Sequence, residues 1–284
     1  MGPFSKDLLK DKVVLITGGA TGLGRAMGAQ FLDLGAKLAI ASRREETLKK
    51  TAEELSVNGN NVFYKVTDVR DPVQIHDLVE AVEQQFGRID VLVNNAAGNF
   101  ISPTERLSPR AVDAILNIVL HGTMYTTLEV GKRWIEQRHP GTMLNIVTTY
   151  ASTGSAFVVP SAAAKAGVLA LTRSLAVEWA RHGIRQVAIA PGPFPTDGAT
   201  SRLMPTPDIE EKMIHRIPLR RVGNQEELAH LAAYLISDFA GYINGEVVTI
   251  DGGEWLQGAG EFNDLLEITE EQWDVLAEKT RQGK

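Results

Sequence analysis

The run Thr17-Gly18-Gly19-Ala20-Thr21-Gly22-Leu23-Gly24 sets glycines in a G-x-x-x-G-x-G spacing just after a short apolar stretch. Glycine tolerates a tight turn and lets backbone N–H groups approach a pyrophosphate at the positive end of a following helix. The same residues would serve a plain strand-to-helix turn, and a glycine triplet alone does not separate the two. Roughly twenty residues on, where an acidic side chain would take a ribose 2′-hydroxyl, stand Arg43 and Arg44. A guanidinium suits a 2′-phosphate through paired hydrogen bonds. The pair points to NADP(H) over NAD(H), the alternative being a solvated basic patch at a helix start. Tyr150, after another apolar stretch, offers a phenol at the carboxyl end of an expected strand, where open α/β sheets bind ligands. Its bland alternative is a tyrosine packed beneath a loop. His121 and His139 have no partner at a readable spacing, and no metal site is expected.

Elements of two periods must position these groups. Short β-rich runs alternate with stretches of helical periodicity. Strands are expected over residues 12–17, 37–42, 61–66, 91–94, 143–148, 186–190 and 247–250. Helices are expected over 24–34, 45–58, 72–86, 109–136, 161–181 and 225–236. The fold class this predicts is α/β: a Rossmann-type, doubly wound, seven-stranded parallel sheet in a single domain over residues 1–260. Residues 191–221 break the alternation with six prolines and no clear period, and are expected to form an irregular substrate lid. Past Asp251-Gly252-Gly253, a charged amphipathic tail over 261–284 exceeds what the sheet needs.

Composition narrows the functional classes. The 284 residues suffice for one large α/β domain with a buried core. A formal net charge of −6 argues against a nucleic-acid partner. The absence of cysteine excludes disulfides, thiolate catalysis and cysteine-based metal sites. Residues 1–10 lack the apolar core of a signal peptide and the Arg/Ser bias of a transit peptide, and Lys6 breaks the myristoylation pattern. No apolar run reaches membrane-spanning length. The expectation is a cytoplasmic protein without a membrane partner; a processed organellar form would have the same sequence features.

With these motifs in place, the chain resembles the short-chain dehydrogenase/reductases over nearly its whole length. The resemblance is carried by the glycine turn, Asp68-Val69, Asn94-Asn95-Ala96-Ala97-Gly98, Pro191-Gly192 and Asp251-Gly252-Gly253. It implies a cofactor site formed by Thr17, Gly18, Thr21, Gly22, Leu23, Gly24, Arg43, Arg44, Asp68, Val69, Asn95, Lys165, Pro191, Gly192, Pro193 and Phe194. Asp68 would meet the adenine, residues 191–194 would border the nicotinamide, and Asn94 would stabilise the central strand. Ketone-reducing members carry Tyr-x-x-x-Lys, with tyrosine as proton donor. Here Lys165 is preceded four residues earlier by Ser161. A serine hydroxyl is far less acidic than a phenol, whose ordinary pKa is about 10, so ordinary carbonyl reduction is disfavoured. Enoyl-thioester reductases with a Tyr-x6-Lys spacing are not matched either.

One subgroup is similar throughout: the mitochondrial-type 2,4-dienoyl-CoA reductases. The likeness extends over residues 94–109, 154–165 and 201–203, and over the tail segments 260–265 and 271–274. This similarity implies that Tyr150 and Asn99 bind the thioester carbonyl oxygen, while Lys165 holds the nicotinamide ribose with Ser161 nearby. It further implies an acyl-CoA site lined by Arg70, Phe100, Ser108 and Arg202, and a homotetramer. Without it, Asn99 is as well explained as a turn residue after Gly98, and Arg70 and Arg202 as solvated arginines.

Hydride addition to the far end of a conjugated dienoyl thioester pushes negative charge onto the carbonyl oxygen, which donors must meet. A phenol and an amide can both donate without surrendering a proton completely. The expected function is NADPH-dependent reduction of 2,4-dienoyl-CoA to trans-3-enoyl-CoA in β-oxidation of unsaturated fatty acids. The competing expectations are a reductase of another enoyl or 3-oxoacyl thioester and a catalytically inactive NADP-binding regulator.

Overall fold

Val13–Thr17 (β1) reads Val-Val-Leu-Ile-Thr, and all five of its side chains are buried. A strand apolar on both faces needs cover on both, which is the requirement of a parallel sheet flanked by helices. The computed structural model, which describes residues 4–56, 62–196 and 207–282, builds that sheet. Its other strands are Lys37–Ser42 (β2), Val62–Val66 (β3), Val91–Asn94 (β4), Gly141–Ile146 (β5), Ile184–Pro191 (β6) and Val247–Ile250 (β7). They pair in parallel in the order β3-β2-β1-β4-β5-β6-β7. The order reverses between β1 and β4, and the crevice beyond the carboxyl ends there is where such sheets bind ligands.

The connecting helices are Gly22–Asp33 (α1), Glu45–Leu55 (α2), Pro72–Phe86 (α3), Pro109–Leu116 (α4) and Gly122–Gln137 (α5). Tyr150–Thr153 (α6), Val159–Glu178 (α7), Pro207–Arg216 (α8) and Gln225–Ile236 (α9) follow. Strand side chains alternate between faces. Val14 and Ile16 pack with Phe31 of α1, Leu48 of α2 and Leu228 of α9. Val13 and Leu15 pack with Leu78 of α3, Val130 and Trp134 of α5 and Leu175 of α7. Helix ends follow local chemistry: Asp71 caps α3 by accepting from Val73 N at 2.9 Å, Pro72 starts it, and Gly87 ends it in left-handed backbone.

Several elements depart from the sequence expectations. The helix expected over 109–136 is two helices, α4 and α5, joined by a π-helical turn at Asn117–His121. A π turn widens one helical turn while the chain keeps its direction, so apolar periodicity on either side conceals it. Residues 191–221 are not irregular throughout, because α8 forms within them. Asp208 and Glu210 in its first turn and His215 and Arg216 in its last complement the helix dipole, a signal masked by the surrounding prolines. β5 spans Gly141–Ile146 where 143–148 was expected, which leaves Thr148 and Tyr150 beyond the strand end. Arg202, with the rest of 197–206, lies outside the described residues, as do the expected strand start at Asn61 and helix end at Asn58. The tail folds as Glu254–Ala259 (α10), a 3₁₀ turn and Glu270–Gln282 (α11), none of whose residues is buried. No helix among the described residues is long and apolar enough to cross a membrane.

Candidate active site

The turn from β1 to α1 is shaped by glycine at two critical points. Gly18 has φ 66°, and a Cβ on it would meet Ala96 Cα at 2.9 Å. At Gly24 a Cβ would meet Gly18 O at 2.4 Å and Asn95 Nδ2 at 2.6 Å. Asn95 binds the turn from the neighbouring strand, with Nδ2 donating to Thr17 O at 3.1 Å and Gly18 O at 3.0 Å. Thr17 Oγ1 accepts from Asn95 N and Ala96 N, at 3.1 and 3.2 Å. The Thr21 side chain caps no N–H of the first turn of α1. Gly18, Thr21, Gly22 and Leu23 line the adjoining cleft. An uncapped helix start facing a cleft fits a dinucleotide pyrophosphate.

That cleft has a volume of about 1240 Å³ and runs along the carboxyl ends of β1, β2, β4 and β5. At one end Arg43, Arg44, Asp68 and Val69 line it. The Arg70 guanidinium binds the Asp68 carboxylate, with Nε at 2.9 and 3.0 Å from the two oxygens and an Nη in closer contact. This hydrogen bonding holds the Asp68 carboxyl below its ordinary pKa, with burial opposing and the charge of Arg43 adding a smaller pull. Two further cations line the cleft here: Arg25, 3.0 Å from Glu54, and Lys50, 3.9 Å from the same carboxylate. Sequence spacing singled out neither, although Arg25 directly follows the last glycine of the turn.

The other end gathers residues from five segments. Tyr150 opens α6, Asn99 follows β4, and Ser161 and Lys165 lie on the first turns of α7. Asn99 Nδ2 donates to Tyr150 Oη at 3.3 Å, and that oxygen lies 3.2 Å from Ser161 Oγ. Asn99 Oδ1 accepts from Phe100 N at 2.9 Å, which fixes the amide's orientation. Lys165 is buried, and its ammonium donates to Ile146 O at the end of β5. Desolvation pushes its pKa down from 10.5 to about 8. Pro191 and Phe194 complete this end, together with Ile118 from the π turn. Sequence periodicity missed Ile118 because the turn that presents it was hidden inside one long helix.

The remaining expected site residues are placed as follows. Gly192 N donates to Ile250 O at 2.9 Å, and Pro193 O accepts from Gly223 N at 3.0 Å. Phe100 packs against the cluster of Ile115, Val119 and Ala164. Ser108 caps α4, its Oγ accepting from Ala111 N at 3.2 Å. Asn94 donates to Thr127 Oγ1 and Asn145 Oδ1, both at 2.9 Å, tying β4 to α5 and β5.

Comparison with known proteins agrees with this architecture. A family model described as enoyl-(acyl carrier protein) reductase matches residues 18–254. A Caenorhabditis elegans protein named probable 2,4-dienoyl-CoA reductase 3, (3E)-enoyl-CoA-producing, is 46% identical over 89% of this chain and 83% of its own. A Bacillus subtilis protein named probable 2,4-dienoyl-CoA reductase, (2E)-enoyl-CoA-producing, is 44% identical over 87% of this chain and 98% of its own. The crystal structure of a short chain dehydrogenase from Bacillus anthracis superposes with a TM-score of 0.79 at 45% identity, covering 86% of this chain and 96% of that one.

Proposed function

The chain belongs to the short-chain dehydrogenase/reductase family of oxidoreductases, and from that premise we propose that it reduces 2,4-dienoyl-CoA to trans-3-enoyl-CoA with NADPH, in β-oxidation of unsaturated acyl chains. The observation that carries this reading is the position of the Tyr150 hydroxyl, within hydrogen-bond reach of both Asn99 and Ser161. It stands in the same cleft as Lys165 although no tyrosine precedes that lysine by four residues. When bound, the reduced nicotinamide would supply the hydride taken up at C5 of the dienoyl chain, and a proton from Tyr150 or from water that it orders would then reach C2. Tyr150 donates its O–H to the thioester oxygen, and Asn99 offers its amide N–H to the same oxygen. Such preorganised donors stabilise charge as it develops, with little reorganisation at the moment of reaction. Lys165 would hold the cofactor ribose from the wall of the cleft, and Ser161 holds the phenol in place between substrates.

NADPH is preferred in this proposal because Arg43 and Arg44 line the cleft where an NAD site would carry an acid. Arg70, Phe100, Ser108 and Arg202 are assigned to the acyl-CoA by resemblance. The two named relatives differ in product, and the 3E isomer is assigned here from the resemblance to the mitochondrial-type subgroup. A homo-oligomer is also proposed, supported by apolar side chains left in solvent at Val177, Phe239 and Tyr242. The proposed compartment is the cytoplasm, in keeping with a chain that contains no cysteine.

The test follows NADPH absorbance with trans,trans-2,4-hexadienoyl-CoA, crotonyl-CoA and acetoacetyl-CoA in parallel, with product isomers resolved by NMR. Turnover of the dienoyl substrate to the 3-enoyl product is expected. Turnover of either other substrate without the dienoyl one overturns the assignment.

A further inference from the structure

Four non-glycine residues among those described have left-handed backbone: Asp11, Arg138, Phe157 and Arg220. Three are charged, and Arg138 is the ordinary C-cap of α5. Phe157 differs in kind. It is a large aromatic at φ 64°, a conformation crowded for any side chain, and it remains 56% exposed. It therefore gains little burial in exchange for the strain. Strained non-glycine residues persist where the surroundings over-determine them, and they concentrate at sites of function.

The surroundings here are the two loops that carry Asn99 and Tyr150. Phe157 O accepts from Ser102 N at 2.9 Å, three residues beyond Asn99. The loop bearing Phe157 is closed on itself by the contact of Tyr150 Oη with Ser161 Oγ at 3.2 Å. Ile101 on one loop and Val159 on the other are each 44% exposed. Residues 91–104 and 141–164 contain no Asp, Glu, Lys or Arg, and the first loop's only charges, Glu105 and Arg106, come at its far end before α4. Phosphate groups would find no cationic partner over these stretches, whereas a hydrocarbon chain would gain by leaving water.

We propose that Phe157, flanked by Ile101 and Val159, is an apolar ledge that receives the acyl chain beyond the reacting diene and sets the enzyme's chain-length preference. This inference rests on the acyl-thioester reading of the site given above. The left-handed backbone leaves the ring largely in solvent, on a loop hydrogen-bonded to the segment that carries Asn99. Burial on the ledge of roughly two of the four methylenes that distinguish a ten-carbon from a six-carbon chain corresponds to about a tenfold preference.

The experiment compares wild type with Phe157→Gly, since glycine takes the same backbone without strain. The readouts are kcat/KM for trans,trans-2,4-decadienoyl-CoA and trans,trans-2,4-hexadienoyl-CoA, thermal stability, and NADPH affinity. The ratio of the two kcat/KM values is expected to fall about tenfold, with no loss of melting temperature. A ratio within about twofold of wild type in a folded, NADPH-binding variant overturns the ledge. Should Phe157→Gly fail to fold, Phe157→Asn repeats the comparison, because asparagine also tolerates this backbone. If wild type reduces neither dienoyl substrate, the functional reading has failed separately. The ledge is then judged by calorimetric binding of decanoyl-CoA against hexanoyl-CoA. A preference for the longer chain that Phe157→Gly loses supports the ledge, and the absence of any preference overturns it.

Discussion

Replacing Lys165 by methionine should make the cofactor-free protein more stable at neutral pH while removing its activity. Lys165 is only 8% exposed, and desolvation depresses its pKa from 10.5 to about 8. The unfolded chain keeps this proton to about pH 10.5, the folded chain only to about pH 8, so stability rises with pH between those values. Below about pH 8 the buried cation is a standing cost. At about 1.4 kcal/mol per pKa unit, that cost is about 3 kcal/mol at pH 7. Methionine keeps most of the packed stem but leaves Ile146 O without its donor, a loss of about 1 kcal/mol. The net expectation is a gain of about 2 kcal/mol at pH 7, falling to about zero near pH 9.5 as the wild-type lysine deprotonates. Urea unfolding of both proteins at the two pH values measures the difference directly. A gap that is the same at both, or a variant less stable at pH 7, refutes the idea that burial penalises the charge. Retention of a destabilising ammonium is intelligible if its use lies in holding the cofactor, an exchange of stability for function common at such sites.

Two further outcomes test the chemistry. Tyr150→Phe should lower the dienoyl rate at least about 10²-fold, the scale of one lost oxyanion donor, with melting temperature nearly unchanged. Ser161→Ala should cost less; a dead Ser161→Ala beside an active Tyr150→Phe would reverse the two roles. Arg43→Ala should weaken NADPH binding by about 10- to 100-fold, the range of a charge-assisted hydrogen bond, with much less effect on NADH. An equal loss for both cofactors would show that Arg43 does not meet the 2′-phosphate.

Much of the scaffold is legible in local sequence. Each of the expected strands has an observed counterpart, because each is a short apolar run bounded by turn residues, and periodicity is a local property. The glycine turn and the Asp71 cap are likewise decided within a few neighbouring residues. Where local signals compete, they mislead: six prolines conceal α8, and an apolar stripe conceals the π turn at Asn117–His121. The sequence by itself therefore determined a parallel α/β sheet with a dinucleotide turn, and, through the serine before Lys165, a departure from ordinary ketone reduction. Only the tertiary structure decided that Asn99 and Tyr150, 51 residues apart, meet at one hydroxyl, and that Lys165 is buried against the end of β5 at the wall of the same cleft. It alone placed Phe157 in left-handed backbone on a loop bonded to the segment that carries Asn99. These depend on how β4, β5 and α7 pack in space, and packing across a sheet joins residues whose separation along the chain carries no record of it.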